Sequence, residues 1–278
     1  MLGQRIVTAV VLLALLIPAL WSEALWPFPV LTLAFVAAAG WEWARLNGAA
    51  GAGAMGWAAA VVLTGLLAGW AASSGMDLHG VVALAALAWL IGGPWALRIG
   101  VDGWARAPAS ARRVLGVGVV AAAWVALVEA RAQGLAFVLS VFCTVWVADI
   151  AAYAGGRAFG RRKLAPRISP GKSWEGALCG VLAVWGLAWG WTSLQVSWPA
   201  LGPSLFSALH ERFGLGPGLV LLTGLVGMSV VGDLFESLLK RAAHVKDSSA
   251  LLPGHGGVLD RIDALLPVFP LALALTWR

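Results

Sequence analysis

The chain has 278 residues, of which 60% are hydrophobic and only 12% charged, with 19 Lys and Arg against 13 Asp and Glu for a net charge of +6. Soluble domains carry about 25% charged residues, so the composition excludes an ordinary water-soluble protein and describes an integral membrane one whose first partner is the lipid bilayer. Basic residues split among apolar stretches report membrane orientation rather than nucleic-acid binding, and no nucleic-acid partner is expected.

A hydrocarbon core about 30 Å thick is crossed by about 20 helical residues. Apolar stretches of that order recur at 4–20, 25–44, 56–72, 79–99, 112–130, 134–156, 174–195, 215–238 and 262–277, separated by short segments rich in Gly, Pro, Ser or charge. They predict an all-α, polytopic membrane protein of about nine transmembrane helices with its N-terminus in the cytoplasm. Residues 1–24 carry Arg5 ahead of an apolar core, with Ser22 and Ala24 as small residues, but Pro18, Leu20 and Trp21 make a poor cleavage region. An uncleaved first span is expected.

Counting Lys and Arg on alternate sides places Arg5, Arg45, Arg98, Arg106, Arg112, Arg113, Arg157, Arg161, Arg162, Lys163, Arg167, Lys172, Lys240, Arg241, Lys246 and Arg261 inside, and only Arg131, Arg212 and Arg278 outside. That asymmetry puts the charged loops on the cytoplasmic side of the inner membrane. The tryptophans near span ends (Trp21, Trp26, Trp41, Trp43, Trp104, Trp198 and Trp277) read as an interfacial belt. Residues 1–130 are expected to form a scaffold of five spans that gives lipid access and contributes oligomer contacts. Residues 131–278 are expected to form the catalytic half, spans six to nine with their cytoplasmic loops. Asp102-Gly103-Trp104-Ala105-Arg106 is similar to the D-G-x-x-A-R start of certain lipid-transferring enzymes, but the two later aspartates of that pattern are missing, leaving an ordinary loop pair. Cys143 and Cys179 lie in apolar stretches with neither metal-ligand nor disulfide spacing.

The sixth span ends with Asp149, Tyr153 and Arg157 at i, i+4 and i+8, a polar stripe facing the cytoplasm. Arg161, Arg162, Lys163 and Arg167 follow as a basic loop, read either as the orientation signal itself or as a phosphate contact. Ser169-Pro170-Gly171-Lys172-Ser173-Trp174-Glu175-Gly176 then opens the seventh span, whose run 180–190 is glycine-rich in a way that suits close helix packing. Its Gly-Lys-Ser is similar to part of a phosphate-binding P-loop, yet the required earlier glycine falls on Pro166 and no strand is expected before it. Lys172 and the helix N-terminus can still hold phosphate oxygens.

The eighth span ends with Asp233, Glu236 and Lys240 on one helical face. Acidic groups in a span face a cavity or a partner, and the bland alternative is an Asp233–Lys240 or Glu236–Lys240 pair that closes the helix. Beyond it come Lys246-Asp247-Ser248, the turn Pro253-Gly254-His255-Gly256-Gly257, and Asp260, Arg261 and Asp263. A folded-back loop would bring Asp260 opposite Asp233. Oxygen ligands without a Cys or His cluster favour Mg²⁺ over zinc, and His255 reads equally as an acid or base and as a hydrogen-bonding loop residue.

These residues resemble the phosphatidate cytidylyltransferase (CDP-diacylglycerol synthase) family. The pattern S-x-x-K-R-x4-K-D-x-[small]-x2-[apolar]-[PG]-x-H-G-G-x-x-D-R-x-D is met by Ser237, Lys240, Arg241, Lys246, Asp247, Ser249, Leu252, Pro253, His255, Gly256, Gly257, Asp260, Arg261 and Asp263. Gly232, Asp233 and Glu236, the series from Asp149 to Gly160, the block from Ser169 to Gly176, and Trp41-Glu42-Trp43 add support. Gly171 departs from the family, which carries a second basic residue there. The resemblance implies transfer of the cytidylyl group of CTP to phosphatidic acid, giving CDP-diacylglycerol and pyrophosphate. It implies Asp233 and Asp260 as metal ligands with Asp149 and Glu236 beside them, and catalytic roles for Asp233, Asp260, Lys240 and His255. Substrate contacts would come from Lys240, Arg241, Lys246, Arg261, Arg157, Lys172, Ser173, Ser237 and Asp247, with His255, Gly256 and Gly257 shaping the nucleotide loop. Mg²⁺, a second monovalent or divalent cation, lateral entry of the lipid and a homodimer are further implications. The rival from another class is a cation-coupled transporter using the intramembrane acids, against which stands the lack of paired, symmetric broken helices.

Overall fold

A computed structural model describes residues 2–24 and 26–277. Arg278, Leu25 at the start of the second expected stretch, and the side chain of Arg5 lie outside the described residues. The apolar stretches all fold as helix, the form in which a chain satisfies its backbone polar groups within lipid. In order they are α1 (Leu2–Trp21), α2 (Pro27–Leu46), α3 (Gly51–Ser73), α4 (His79–Arg106), α5 (Ala109–Ala132), α6 (Leu135–Phe159), α7 (Trp174–Ser197), α8 (Leu205–Phe213), α9 (Leu215–Ala242), α10 (Leu259–Ile262) and α11 (Leu265–Thr276). Six of them, α3 to α7 and α9, are long and apolar enough to cross a membrane, and α1, α2 and α11 take the other three expected stretches. This is a multi-pass membrane protein. The fourth stretch was expected to end at 99; the helix breaks there at Gly100 (φ 68°) and resumes to Arg106.

Two features depart from expectation. Strands β1 (Lys163–Ala165) and β2 (Ser169–Ser173) pair antiparallel, Lys163 opposite Ser173, where a basic loop and a helix start were read. The short α8, capped reciprocally by Ser204 and Ser207, was not foreseen.

Helix ends expected on the same side of the bilayer do meet. Arg131 donates to the carbonyls of Leu20 and Ser22, Arg212 to those of Leu275 and Trp277, and the His79 ring lies 3.8 Å from that of Trp277. At the opposite ends of these helices, Thr8 donates to the Pro253 carbonyl, Arg113 to that of Asn47 and Arg241 to that of Ile168. Half of the apolar window is buried in α6 and α9 (50%) against 17% in α3 and α7, so the former pair is central and the latter presents large apolar side chains such as Leu66, Trp70, Leu182 and Trp189 outward.

Helix α11 packs on α4, α5 and α9, and so ties the two expected halves of the chain together. Phe235 of α9 sits among Trp43, Trp89 and Trp104, with ring centroids 5.6, 5.4 and 5.2 Å away. Trp43 and Trp104 are therefore core residues rather than members of an interfacial belt, their indole N–H groups taken by the Arg112 carbonyl and the Asn47 side chain. Trp21, Trp26 and Trp198 are exposed, as a belt requires. The closest helix pair is α6 with α7, where a side chain at Gly176 would reach within 2.6 Å of the Ala152 carbonyl and one at Gly180 within 3.0 Å of that of Ala148. Gly186 and Gly190 face open space, so only the first turns of the glycine-rich run serve packing.

Candidate functional site

A polar cavity of about 670 Å³ opens between α6, the β1–β2 hairpin, α7, α9 and the α10–α11 turn. Four acids (Asp149, Asp233, Asp260, Asp263) and four bases (Arg157, Lys163, Lys172, Arg261) line it, with Ser173, Tyr153 and Gly171. The expected convergence of Asp233 with Asp260 is thus present, and Asp149, Lys172, Ser173, Arg157 and Arg261 share the same walls. Lys172 Nζ lies 2.5 Å from Asp233 Oδ2, and the Ser237 hydroxyl donates to Asp233 Oδ1 at 3.4 Å.

The hairpin explains how Lys172 arrives there. Strand β2 runs directly into α7, so Ser173 is both the last strand residue and the helix N-cap, accepting from the Gly176 amide. A strand does therefore precede the helix, contrary to expectation. The P-loop comparison still fails, because Lys172 and Ser173 lie in the strand itself with no glycine-rich loop between strand and helix.

The other expected residues form a framework behind the cavity. Lys240 pairs with Glu236, the alternative noted from the sequence, and also with Asp260 Oδ1 at 2.6 Å. Asp260 Oδ2 accepts from the Ser248 amide (2.9 Å), the Ser248 hydroxyl (2.8 Å) and the Gly257 amide (2.8 Å). Burial works to raise the Asp260 pKa, but hydrogen bonds with Glu236, Lys240, Gly257 and Ser248 outweigh it and hold the carboxyl well below the usual carboxylate range. Asp260 is the hub on which the loop from Ser248 to Gly257 folds. Gly256 takes φ +84° and pairs with Leu252, closing the turn. Arg241 reaches the Ile168 carbonyl, which fixes the hairpin against α9. Glu236 is buried and lies outside the cavity wall, as do Lys240, Arg241, Lys246, Asp247, Gly256 and Gly257; His255 lines a different, apolar cavity.

The strongest feature missed by sequence reasoning is Glu42 of α2, fully buried. Its Oε1 accepts from the Ser249 hydroxyl (2.5 Å) and the Val258 amide (2.9 Å), and its Oε2 from the Leu259 amide (2.6 Å) and the Ser248 hydroxyl (3.3 Å). One carboxylate thus holds the start of α10 and the neck of the loop, and the Gly257 position leaves no room for a side chain between Glu42 and Ser248. In the sequence, Trp41-Glu42-Trp43 stands out only as a family-like string. Asp263, quoted within the motif but given no role, also faces the cavity.

The acids in the cavity offer hard oxygen donors and no Cys or His lies in its wall, a donor set that suits Mg²⁺. Among the described residues no three acidic, His or Cys side chains stand close enough to hold an ion alone. That fits a cation taking one or two carboxylates and completing its shell with substrate phosphates.

The family model described as the cytidylyltransferase family matches residues 3–277. Along its whole length the chain is similar to a phosphatidate cytidylyltransferase of Pseudomonas aeruginosa, 39% identical over 290 residues that cover 100% of this chain and 97% of the relative. Proteins of the same name from Haemophilus influenzae (47% over 138 residues, 50% of this chain and 44% of the relative) and Staphylococcus epidermidis (42% over 144 residues, 51% and 50%) match about half of it.

Proposed function

The chain belongs to the cytidylyltransferase family, and from that membership we infer that it is a phosphatidate cytidylyltransferase, which transfers the cytidylyl group of CTP to phosphatidic acid and releases pyrophosphate. The observation that carries the reading, beyond the relatives' names, is the cavity in which four acids meet four bases at the end of apolar helices. Charge of both signs desolvated beside a bilayer is costly unless it is paired or meets a charged ligand. A transporter reading gains no support from this arrangement or from the relatives.

A phosphate oxygen of the lipid is already a nucleophile, so no covalent enzyme intermediate is required. It attacks the α-phosphorus of CTP, one P–O bond forms, the bridging bond to the β-phosphate breaks, and pyrophosphate departs with that electron pair. The protein's task is alignment and neutralisation of charge. Lys172, paired with Asp233 before substrate arrives, moves onto phosphate oxygens and frees the carboxylate. Arg157 and Lys163 bind from the α6 and hairpin side, Arg261 from the α10 side. Asp233, with Asp149 or Asp263 beside it, would supply one or two oxygens for Mg²⁺ and substrate phosphates the rest, and the ion when bound would lower the charge barrier between two anionic substrates. A second monovalent or divalent cation, bound chiefly through substrate phosphates, belongs to the same reading. Asp260, also a candidate ligand, acts through the loop that it organises. Lys240 and Glu236 keep Asp260 in place, and Ser237 steadies Asp233. Arg241 positions the hairpin, while Lys246, Asp247, Gly256 and Gly257 shape the outer loop that receives the nucleotide.

This reading sets the cavity at the cytoplasmic face of the inner membrane, where CTP is found, treats residues 1–130 as scaffold and 131–278 as catalytic half, and retains a homodimer as the assembly. Purified protein given labelled CTP, phosphatidic acid and Mg²⁺ should yield lipid-extractable label and free pyrophosphate. A folded preparation that yields neither overturns it.

A further inference from the structure

A second cavity of about 440 Å³ lies against the first and has no part in the chemistry described so far. Its wall is apolar: Ala9, Leu12 and Leu16 from one face of α1, Phe35 from α2, Trp124 from α5 and Phe269 from α11. Among the described residues, its only ionisable lining side chains are His255 and Arg261, which stand together at one end. Arg261 lines both cavities and is the point at which they join.

Helix α1 closes this space as a strap fixed at its two ends. Near one end the Thr8 hydroxyl donates to the Pro253 carbonyl, 2.9 Å away in the loop that carries His255. At the other, Arg131 donates to the carbonyls of Leu20 and Ser22. Between the two anchors the residues at i, i+3 and i+7 of α1 face the cavity, while Val7, Val10, Val11 and Leu15 point outward and are exposed. The Arg261 guanidinium is held in position by the His255 carbonyl, at 3.1 and 2.5 Å from Nε and Nη2. The His255 Nδ1 is buried and has no hydrogen-bond partner among the described residues. A buried polar nitrogen without a partner is costly, so its place at the polar end of an apolar slot points to a ligand with an acceptor or donor there.

We propose that the slot beneath α1 receives an acyl chain of phosphatidic acid, with Arg261 and His255 at its mouth meeting the lipid headgroup and handing the phosphate to the polar cavity. The inference rests on the cytidylyltransferase reading. The occupant follows from the sequence of surfaces: hydrocarbon wall, then a cation, then the chamber of charged groups, in the order chain, phosphate, reaction centre of an anionic lipid. Bulk solvent offers nothing for such a wall, and a free nucleotide has no long apolar part to fill it. His255 is therefore a headgroup contact rather than a nucleotide-loop residue.

The test is a kinetic comparison on the full-length protein in detergent, using dipalmitoyl and dihexanoyl phosphatidic acid with saturating CTP and Mg²⁺. Leu12→Trp and Ala9→Phe place bulk in the slot, and Val11→Trp places it on the outward face of the same helix. Loss of one or two methylenes of fit in an apolar pocket changes discrimination by about tenfold or more, so the slot variants should raise the KM for the dipalmitoyl lipid by that factor. Their KM for CTP and for the dihexanoyl lipid should move less than about twofold, and Val11→Trp should resemble the unmodified protein with both lipids. Unchanged long-chain kinetics in both slot variants would overturn the proposal, as would equal loss with long and short chains, which would make the slot a structural element. In either of those outcomes the unmodified protein still transfers the cytidylyl group. Absence of transfer by the unmodified protein would instead strike the reading on which the proposal rests.

Discussion

Replacing Glu42 by glutamine keeps the shape of the side chain and removes one of its two acceptor oxygens. The serine hydroxyls of Ser248 and Ser249 can rotate to accept from the new amide, but backbone N–H groups cannot. Whichever way the amide turns, either the Val258 amide (2.9 Å from Oε1) or the Leu259 amide (2.6 Å from Oε2) meets a donor. A buried N–H left without an acceptor costs about 1–3 kcal/mol, and the remaining bond falls from charge-assisted to neutral strength, about another 1 kcal/mol. The sum of about 3 kcal/mol corresponds to a fall on the order of 100-fold in the closed-to-open equilibrium constant of the loop, and to as large a fall in the closed population once closure is marginal. Transfer of label from CTP to lipid should drop by that order, and amide exchange should quicken across 248–262 while α6 and α9 stay protected. Glu42→Asp retains the charge and should recover part of the activity. Glu42→Gln activity within about threefold of the unmodified protein would refute the argument, since a loop that tolerates a buried donor clash of this size is not held by Glu42.

Three further outcomes follow from the same geometry. Asp233→Asn should reduce turnover by about 100-fold or more, the scale of removing one electrostatic contact from a reacting centre, with the folded membrane protein intact; near-normal rates at limiting Mg²⁺ would remove it from the ligand set. Gly257→Ala drives a methyl into Ser248 Oγ and Glu42, an overpacking that costs about 1–3 kcal/mol, and its melting temperature and activity should fall together. Asp260 titrates below its unfolded value of about 3.9, so its contribution to the closed loop is fully present above that pH and is lost as pH falls through the depressed folded value. Exchange of amides 248–257 should stay slow through mild acid, and opening near pH 5 would contradict the assignment.

The spans were legible because lipid leaves a chain few choices: about 20 apolar residues in a row must become helix, and the limits read for α3 to α7 and α9 fall within a few residues of the observed ones except at the kinked end of α4. The acid–base cavity was legible in part for the same reason, since Asp149, Asp233 and Asp260 are conspicuous in so apolar a sequence. The β1–β2 hairpin was not, because strands of three and five residues, with Pro170 inside the second and Pro166 in the turn between them, carry no period long enough to detect. Periodicity also places Glu236 and Lys240 on the same stripe as Asp233 without saying that they turn to each other, away from the cavity. Glu42 was hidden for a more basic reason: its partners lie 206 to 217 residues away, and no local pattern reports a contact at that separation. Trp43 and Trp104 misled in the opposite direction, since a tryptophan near a helix end reads alike whether it meets headgroups or a phenylalanine in the core.

The grip of Glu42 on the loop also orders events during synthesis. Helix α2 is inserted long before residues 248–259 leave the ribosome, so its carboxylate waits for donors that only the finished chain provides. A truncated product, however well inserted, has no means of shaping the turn around Asp260. Competence therefore arrives in one step, when the last segment closes over a residue laid down near the first.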